Sequence, residues 1–490
     1  MSRSATDSHG ANGTSSKATP LSWDTFSNTI DGKADNAKNS RHGINPATEE
    51  NSSTVPVATE EDVDRAMVAA KKAFKTWAAV PYAERQKAVL AFADALEAEK
   101  EGFSKLLTKE QGKPIVFAQM EIDAAVSWLR AAASHELAEE RLEDDEKTIL
   151  VRYTPLGVAV GIVPWNFPIV LACGKIGMSI VTGNPIIIKP SPFTPAGGLK
   201  LVELGQQFFP PGVLQGLSGD DNLGIWLTEH PTPAKISFTG STATGKKVMA
   251  SASKTLKRVT LELGGKDPAI VLDDVNIEEV AAKVATYAFL NSGQICIAIK
   301  RIYVHEKIID EFRDAMVRYT KTLKLGEGNE EGVFLGPIQN KMQYDRVKSF
   351  FKDAESEKMN IAVGGVNPSG KGYFITPTIV DRPAEDSRLV VEEPFGPIVP
   401  LLSFRTDDEA IEKANNTFYG LGGSIWSSNL ERANKMALKI EAGTVWVNTH
   451  TDLDPRVPFG GHKHSGMGAE NGMAGLKSYC NSQTLFLRKK

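Results

Sequence analysis

The stretch VAVGIVPWNFPIVLACGKIGMSIVTGNPIIIKPSP, residues 158–192, decides the fold class. It opens on an apolar run, breaks around Asn166 between Pro164 and Pro168, continues apolar for the length of a helix, and closes on a second apolar run, PIIIK. Leu156 to Cys173 is nearly long enough to span a bilayer. The prolines and the glycines at 157 and 161 would break a helix there, and the Asn166 amide would go unsatisfied in lipid. A buried strand, a turn and a helix explain the run. The texture repeats in VLQGLSG, KISFTGS, VTLELGG and PAIVLDD, and such apolar strands alternating with helices predict parallel sheet covered on both faces. It returns between Ala298 and Leu402, with RIYVHE and PIVPLLSF as strands, which implies a second α/β domain. No fixed-period repeat is present.

Upstream the pattern is helical. TEEDVDRAMVAAKKAFKTW opens on Thr59 with acids in its first turn and apolar residues at helical spacing. A second helical run covers 83–107, and a third covers 115–139 after Pro114. Residues 1–36 are rich in small polar residues and poor in large apolar ones, so a disordered tail is expected, with folded sequence beginning near Gly43. The tail has no apolar stretch for a secretory signal, and one early arginine beside an acid is a poor presequence. Arg488-Lys489-Lys490 matches no peroxisomal or retention tripeptide, so a cytoplasmic location is expected.

At 490 residues the chain calls for roughly two to four domains. A net charge of −4 gives no electrostatic footprint for nucleic acid. Three cysteines cannot close a disulfide framework, and so few in so long a chain suit a reducing compartment. With neither CxxC nor HExxH present, no metal site is expected.

Six segments could carry chemistry. In FLNSGQICIAIKR, 289–301, Cys296 follows a small, polar turn whose amides could stabilise a thiolate, although a lone cysteine is often an inert core residue. In VTLELGGKDPAIVLDD, Glu262 lies within an apolar strand end, where a carboxylate is costly unless paired or placed in a cleft. Gly264 and Gly265 beside it permit close approach of backbone or ligand. Asn166 is a rigidly held amide suited either to a developing oxyanion or to capping the helix that follows. In KISFTGSTATGKKV, Gly240 and Gly245 bracket a helix start able to receive a pyrophosphate, although the pattern is neither GxGxxG nor a Walker sequence. EEPFGPIVP and VPFGGHKHSGMG are restrained, glycine-bearing loops.

Together, PWNFP, IIIKPSP, FTGSTATG, LELGGKDP, NSGQICIA, EEPFGPI and PFGGHKHSG resemble, in order, the motifs of the aldehyde dehydrogenase superfamily, and the match runs from about Asn45 to the C-terminus. The resemblance implies an NAD(P)+-dependent, non-acylating enzyme that oxidises an aldehyde to a carboxylic acid through a thioester. It makes Cys296 the nucleophile, Glu262 the general base, and Asn166 with the Cys296 amide the oxyanion hole. Lys175 and Glu470 resemble a proton-relay pair. Trp165, Lys189, Gly240, Ser241, Thr242, Gly245, Glu393 and Phe395 would contact the cofactor, with Lys189 at the adenosine ribose and Glu393 and Phe395 at the nicotinamide end. The implied fold is a Rossmann-type cofactor domain (37–130 and 152–264), an α/β catalytic domain (265–464) and a bridging β-hairpin (131–151 with 478–490). In the family the last strand joins a partner's sheet, which implies a homodimer or homotetramer.

One departure stands out. The family's KPSE carries a carboxylate that binds the ribose hydroxyls and opposes a 2′-phosphate, and this chain has Pro192 there. A coenzyme-A-acylating or reductive relative would lack the base that Glu262 supplies, and a silent binding protein would be free to lose Cys296, Glu262 and Asn166. The expected substrate-lining residues are Phe167 to Gly174, the flanks of Cys296, and Thr449 to Val457. Val170, Leu171, Ile295 and Ile297 predict a hydrophobic aldehyde, Gly174 and Thr451 a roomy tunnel, and Arg456 either a contact for an anionic tail or a solvated loop residue.

Overall fold

The computed structural model describes residues 21–365 and 370–489. Two largely parallel sheets organise it. In the first, five parallel strands lie in the order Leu214–Gly216, Ile186–Lys189, Ala159–Ile162, Lys235–Thr239, Arg258–Glu262. Numbered along the chain this is 3-2-1-4-5, the doubly wound arrangement whose order reverses between strands 1 and 4. The run 156–173 resolves as expected, with strand Ala159–Ile162, a turn, and helix Pro168–Val181 opening on the proline. Among the described residues, no helix is long and apolar enough to cross a membrane.

The second sheet has seven strands. Six are parallel, in the order Thr378–Asp381, Ile398–Phe404, Ile299–His305, Asp267–Val271, Gly422–Trp426, Thr444–Val447, with Asn360–Val363 antiparallel at one edge. Residues 263–266 alone join the last parallel strand of the first sheet to the first of the second. The carboxyl end of one sheet therefore faces the amino end of the other. After the second sheet the chain returns, and Gly466–Met467 pairs antiparallel with Arg258–Glu262.

Several boundaries differ from the sequence reading. Residues 1–20 of the expected tail lie outside the described residues, but 21–36 are ordered. Asn28–Ile30 pairs with Lys33–Asp35 and with Gly216 at the edge of the first sheet. Phe26 and Ile30 are buried, and Asn28 Oδ1 accepts from the Ser218 amide at 2.8 Å. A few well-placed side chains thus supply the burial that average composition hid. The second helical run is two helices, Tyr82–Ala98 and Lys100–Gln111, parted at Glu99. Gly102 leaves room there for the Trp23 indole, which stands edge-on to Phe103 at 5.1 Å.

The long helix ends at Ser134, not at 139, so 131–134 complete that helix instead of opening the hairpin. Its last carbonyls are taken from the facing helix: Gln86 Nε2 donates to Ala133 O (2.8 Å) and His135 O (3.1 Å), and Tyr82 Oη donates to His135 O (3.0 Å). The hairpin proper is Glu140–Glu143 with Lys147–Pro155, past the expected end at 151, and Cys480–Arg488 pairs along the whole second strand. Thr59 closes a capping box on helix Glu60–Trp77, as the acids after it predict.

If the N-terminal strand is docked as described, Phe26→Ala should cost about 3 kcal/mol. A denaturation midpoint indistinguishable from wild type would contradict that docking.

Candidate active site

Cys296 lies between the sheets, just before strand Ile299–His305. The turn that carries it is not loose. Asn291, Ser292 and Gly293 are all left-handed, with φ of 51°, 57° and 71°, a conformation that costs non-glycine residues energy and persists only where neighbours enforce it. The neighbours do so here. Ser292 Oγ donates to Gly336 O at 2.7 Å, Gln294 Nε2 donates to Asn291 O at 3.0 Å, and Gln294 Oε1 accepts from the Gln339 amide at 2.9 Å.

Asn166 reaches the same turn. Its Nδ2 donates to Gln294 O at 3.0 Å, which spends one of two amide hydrogens and leaves the other free for a ligand. Helix capping is not its task, because the N-cap position of Pro168–Val181 is Phe167. Asn166 is held from behind by a buried ion pair. Lys113 Nζ donates to Asn166 O (2.9 Å) and to Glu121 Oε2 (2.5 Å), while Glu121 Oε1 accepts from the Ile169 amide (2.8 Å). Sequence reasoning missed this pair. Its signal was Glu121 in the apolar stripe of helix Ile115–Ser134, beside Ala118, Ile122 and Ala125.

Glu262 ends the last parallel strand of the first sheet, 4% exposed, and neither carboxylate oxygen has a hydrogen-bond partner. Burial pushes its pKa well above the carboxylate range, Glu470 adds to the rise, and Lys175 opposes it. Lys175 and Glu470 form the expected pair. The Lys175 ammonium hydrogen-bonds Glu470 and donates to Ser237 Oγ (3.1 Å) and Thr239 Oγ1 (2.8 Å), while Ser237 Oγ donates to Glu470 Oε1 at 2.6 Å. Loop 458–466 packs over Glu262, held by backbone bonds between Phe459 and Glu470 (2.8 and 2.7 Å).

The two glycines after Glu262 serve close approach. A Cβ on Gly265 would stand 2.5 Å from Cys296 O, and one on Gly264 would collide with the Glu393 carboxylate. Glu393 Oε1 accepts from the Gly265 amide at 3.1 Å. Next to it Phe395, at φ 51°, stands edge-on to Trp165 with centroids 5.3 Å apart. Trp165, Lys189 and Gly240 each follow or end a parallel strand of the first sheet, where doubly wound folds hold nucleotides. Ser241 caps helix Thr242–Ser253, accepting from the Thr244 amide, and Gly245 packs against Leu263. Burial lowers the Lys189 pKa to about 8, with Asp221 and Asp220 raising it and Arg41 lowering it. A dinucleotide fits this set: an open helix N-terminus at the order reversal, a cation at one end and a carboxylate beside glycine at the other.

The aldehyde dehydrogenase family model matches residues 33–485. This chain belongs to the aldehyde dehydrogenase family. It is 42% identical over 471 residues to aldehyde dehydrogenase LUC3 of a Fusarium species, covering 96% of this chain and all of that one. It is 36% identical to phenylacetaldehyde dehydrogenase of Pseudomonas fluorescens over 90% of this chain and 91% of that protein. Among solved structures, betaine aldehyde dehydrogenase of Staphylococcus aureus in complex with NAD+ superposes with a TM-score of 0.92 at 32% identity, over 95% of each chain. The motifs implied an NAD(P)+-dependent aldehyde oxidoreductase of this fold, and the family match and the NAD+-bound neighbour agree with it.

One substrate-side expectation changes and one alternative is narrowed, Arg456 standing as an exposed loop residue. The space beside Gly174 is filled, since a Cβ there would meet Trp128 Cε3 at 2.8 Å. Arg456 is occupied by Asp454, its Nε donating to both carboxylate oxygens at 2.9 and 3.0 Å.

Of the three cysteines, Cys296 is half-buried while Cys173 and Cys480 are buried. Burial pushes the Cys296 thiol up to about 12. Iodoacetamide should therefore label Cys296 slowly in the native protein, faster as pH rises, and label Cys173 and Cys480 only after unfolding. Mass mapping that finds Cys173 or Cys480 labelled first would contradict the site's geometry.

Proposed function

We propose that this aldehyde dehydrogenase oxidises an apolar aldehyde to its carboxylic acid through a thioester on Cys296. The observation that carries the reading is the convergence on one cleft of a half-buried thiol, a spare amide hydrogen on Asn166 and an unpaired buried carboxylate, Glu262.

Once solvent has taken the thiol proton, attack by the Cys296 thiolate on the aldehyde carbon forms the C–S bond and places negative charge on the carbonyl oxygen. The free Asn166 N–H and the Cys296 amide are the donors for that charge, and the strained turn fixes them before reaction. Lys189, Ser241, Thr242, Trp165, Glu393 and Phe395 would hold NAD(P)+, with Gly240 and Gly245 admitting its pyrophosphate. Bound there, the cofactor supplies the hydride acceptor that turns the thiohemiacetal on Cys296 into a thioester. Glu262 then takes a proton from water, whose oxygen attacks the thioester carbon and expels the thiolate. Glu470 and Lys175 face Glu262 and serve as its relay.

The sheet ending at Glu262 with its helices is the cofactor part, the sheet beginning at Asp267 the catalytic part, and 140–155 with 480–488 the bridging part. A homodimer or homotetramer follows from the last strand, an exposed sheet edge bearing Phe486 and Leu487. Three free cysteines suit the cytoplasm. Phe167, Val170 and Leu171, with Trp128 filling the space beside Gly174, support an apolar substrate.

Cys296→Ala should abolish turnover while leaving cofactor binding intact. Glu262→Gln should retain a burst of NAD(P)H in rapid mixing and then nearly stop, since an amide cannot deprotonate water. Because the base must lose a proton whose pKa burial has raised, wild-type deacylation should climb with pH along a limb above the ordinary carboxylate range. Full turnover in Cys296→Ala, or steady-state turnover in Glu262→Gln equal to wild type, contradicts the mechanism.

Pro192 bears on cofactor choice. Lys189 has charges of both signs around it, Asp220 and Asp221 against Arg41, and no carboxylate at 192. The NADP+/NAD+ ratio of kcat/KM should lie within roughly tenfold of unity, about 1.4 kcal/mol. Pro192→Glu should then disfavour NADP+ by roughly 1–3 kcal/mol. A wild type that already rejects NADP+ a thousandfold would show that another residue sets the preference.

A further inference from the structure

Lys300 enters the strand Ile299–His305, in which every residue is buried. Burial of an ammonium is costly unless it is fully partnered. Its Nζ donates to Ile295 O at 2.8 Å and Cys296 O at 2.5 Å, and lies 3.2 Å from Glu393 Oε1. An ammonium has three N–H groups, so these acceptors use it completely. Two of them belong to the turn carrying the thiol. The third is a carboxylate almost a hundred residues away in sequence that also accepts from the Gly265 amide.

We propose that Lys300 is a positioning residue that couples Glu393 to the Cys296 turn, so that a ligand whose hydroxyls engage the Glu393 carboxylate releases the ammonium's field toward the thiol. The inference rests on the reading of Cys296 as the nucleophile. The charged groups facing the thiol support it. Lys300 favours the thiolate, whereas Glu393, Asp267 and Glu262 oppose it. Neighbouring cationic and ring donors point elsewhere. Lys266 Nζ donates to Leu389 O, Arg301 donates to Lys266 O, Lys413 O and Ala414 O, and the His450 ring faces Ile297 O. Lys300 is thus the cation set against three carboxylates. While its ion pair with Glu393 is intact, part of its field is spent there.

The test follows the rate of iodoacetamide labelling of Cys296, mapped by mass spectrometry, at one mildly alkaline pH in the full-length, cofactor-free protein. Lys300→Met should slow labelling about tenfold, the loss of thiolate that one pH unit represents. Lys300→Arg keeps the charge and should restore most of that loss. Glu393→Gln should speed labelling. NAD+ should also speed it in wild type, and should no longer do so in Lys300→Met. Equal rates for wild type and a folded Lys300→Met overturn the proposal, as does an equal NAD+ effect in both. Should Lys300→Met not fold, Glu393→Gln decides, since it keeps the lysine in place, and an unchanged rate there sinks the coupling. Labelling reports thiol ionisation whether or not turnover uses the thiol, so this failure is distinct from that of the nucleophile assignment, which Cys296→Ala decides.

Discussion

The site depends on two adjacent residues having no side chains. At Gly264 and Gly265 the chain crosses from one sheet to the other within four residues, and the Glu393 carboxylate and the Cys296 carbonyl close onto that crossing. Any Cβ at Gly265 would push away the turn bearing the thiol, and any at Gly264 would displace the carboxylate. The close approach brings a strand-end acid from the first sheet and a strand-start cysteine from the second into one cleft. The acid and the thiol are thereby held by rigid elements on both sides, with only a short link to specify.

A second physical theme is the amount of charge taken out of water. Lys113, Lys175, Lys266, Lys300 and Arg301 are all buried, as are Glu121, Glu262 and Glu470. Each cation is matched to carbonyls, hydroxyls or a carboxylate, so the desolvation cost is offset by directed partners. Replacing any of them with an apolar side chain would leave such partners unmet. Glu262 and Asp267, at the two ends of the link between the sheets, are exceptions, each with both oxygens unpartnered by hydrogen bonds. A protein that satisfies its buried cations here and leaves carboxyls without partners has gathered the mismatch beside the thiol, the kind of place where perturbed acids mark a functional site.

Much of this was legible in the chain. The alternation of apolar strands with helices gave both α/β halves, and Glu262 stood out because a carboxylate inside VTLELGG breaks the strand's own pattern. Lys300 broke its strand in the same way, and Glu121 broke a helix stripe, but a charged residue in an apolar element names no partner. Lys113 and Glu121 meet through a turn at Pro114, and Lys300 meets Glu393 across the second sheet, so only tertiary structure could join them. The ordered segment 21–36 was hidden because composition averages over residues, whereas docking there rests on Phe26, Asn28 and Ile30 individually. Gly174 promised room that Trp128, from another helix, had already taken.

The first sheet gains its last strand, Gly466–Met467, from the far end of the chain, and Lys175 finds Glu470 there, 295 residues on. The hairpin strand Lys147–Pro155 likewise waits for Cys480–Arg488. Domains generally fold as they leave the ribosome, N-terminal parts first, but here the first sheet lacks its edge strand until residues 466–467 have been made. The nascent chain can form most of both sheets while still tethered, with the edge beside Glu262 open, Lys175 lacking its carboxylate and the bridging strand unpaired. Closure of the charge network thus waits for residues 466–488 to be made, long after the strands and the lysine that they complete.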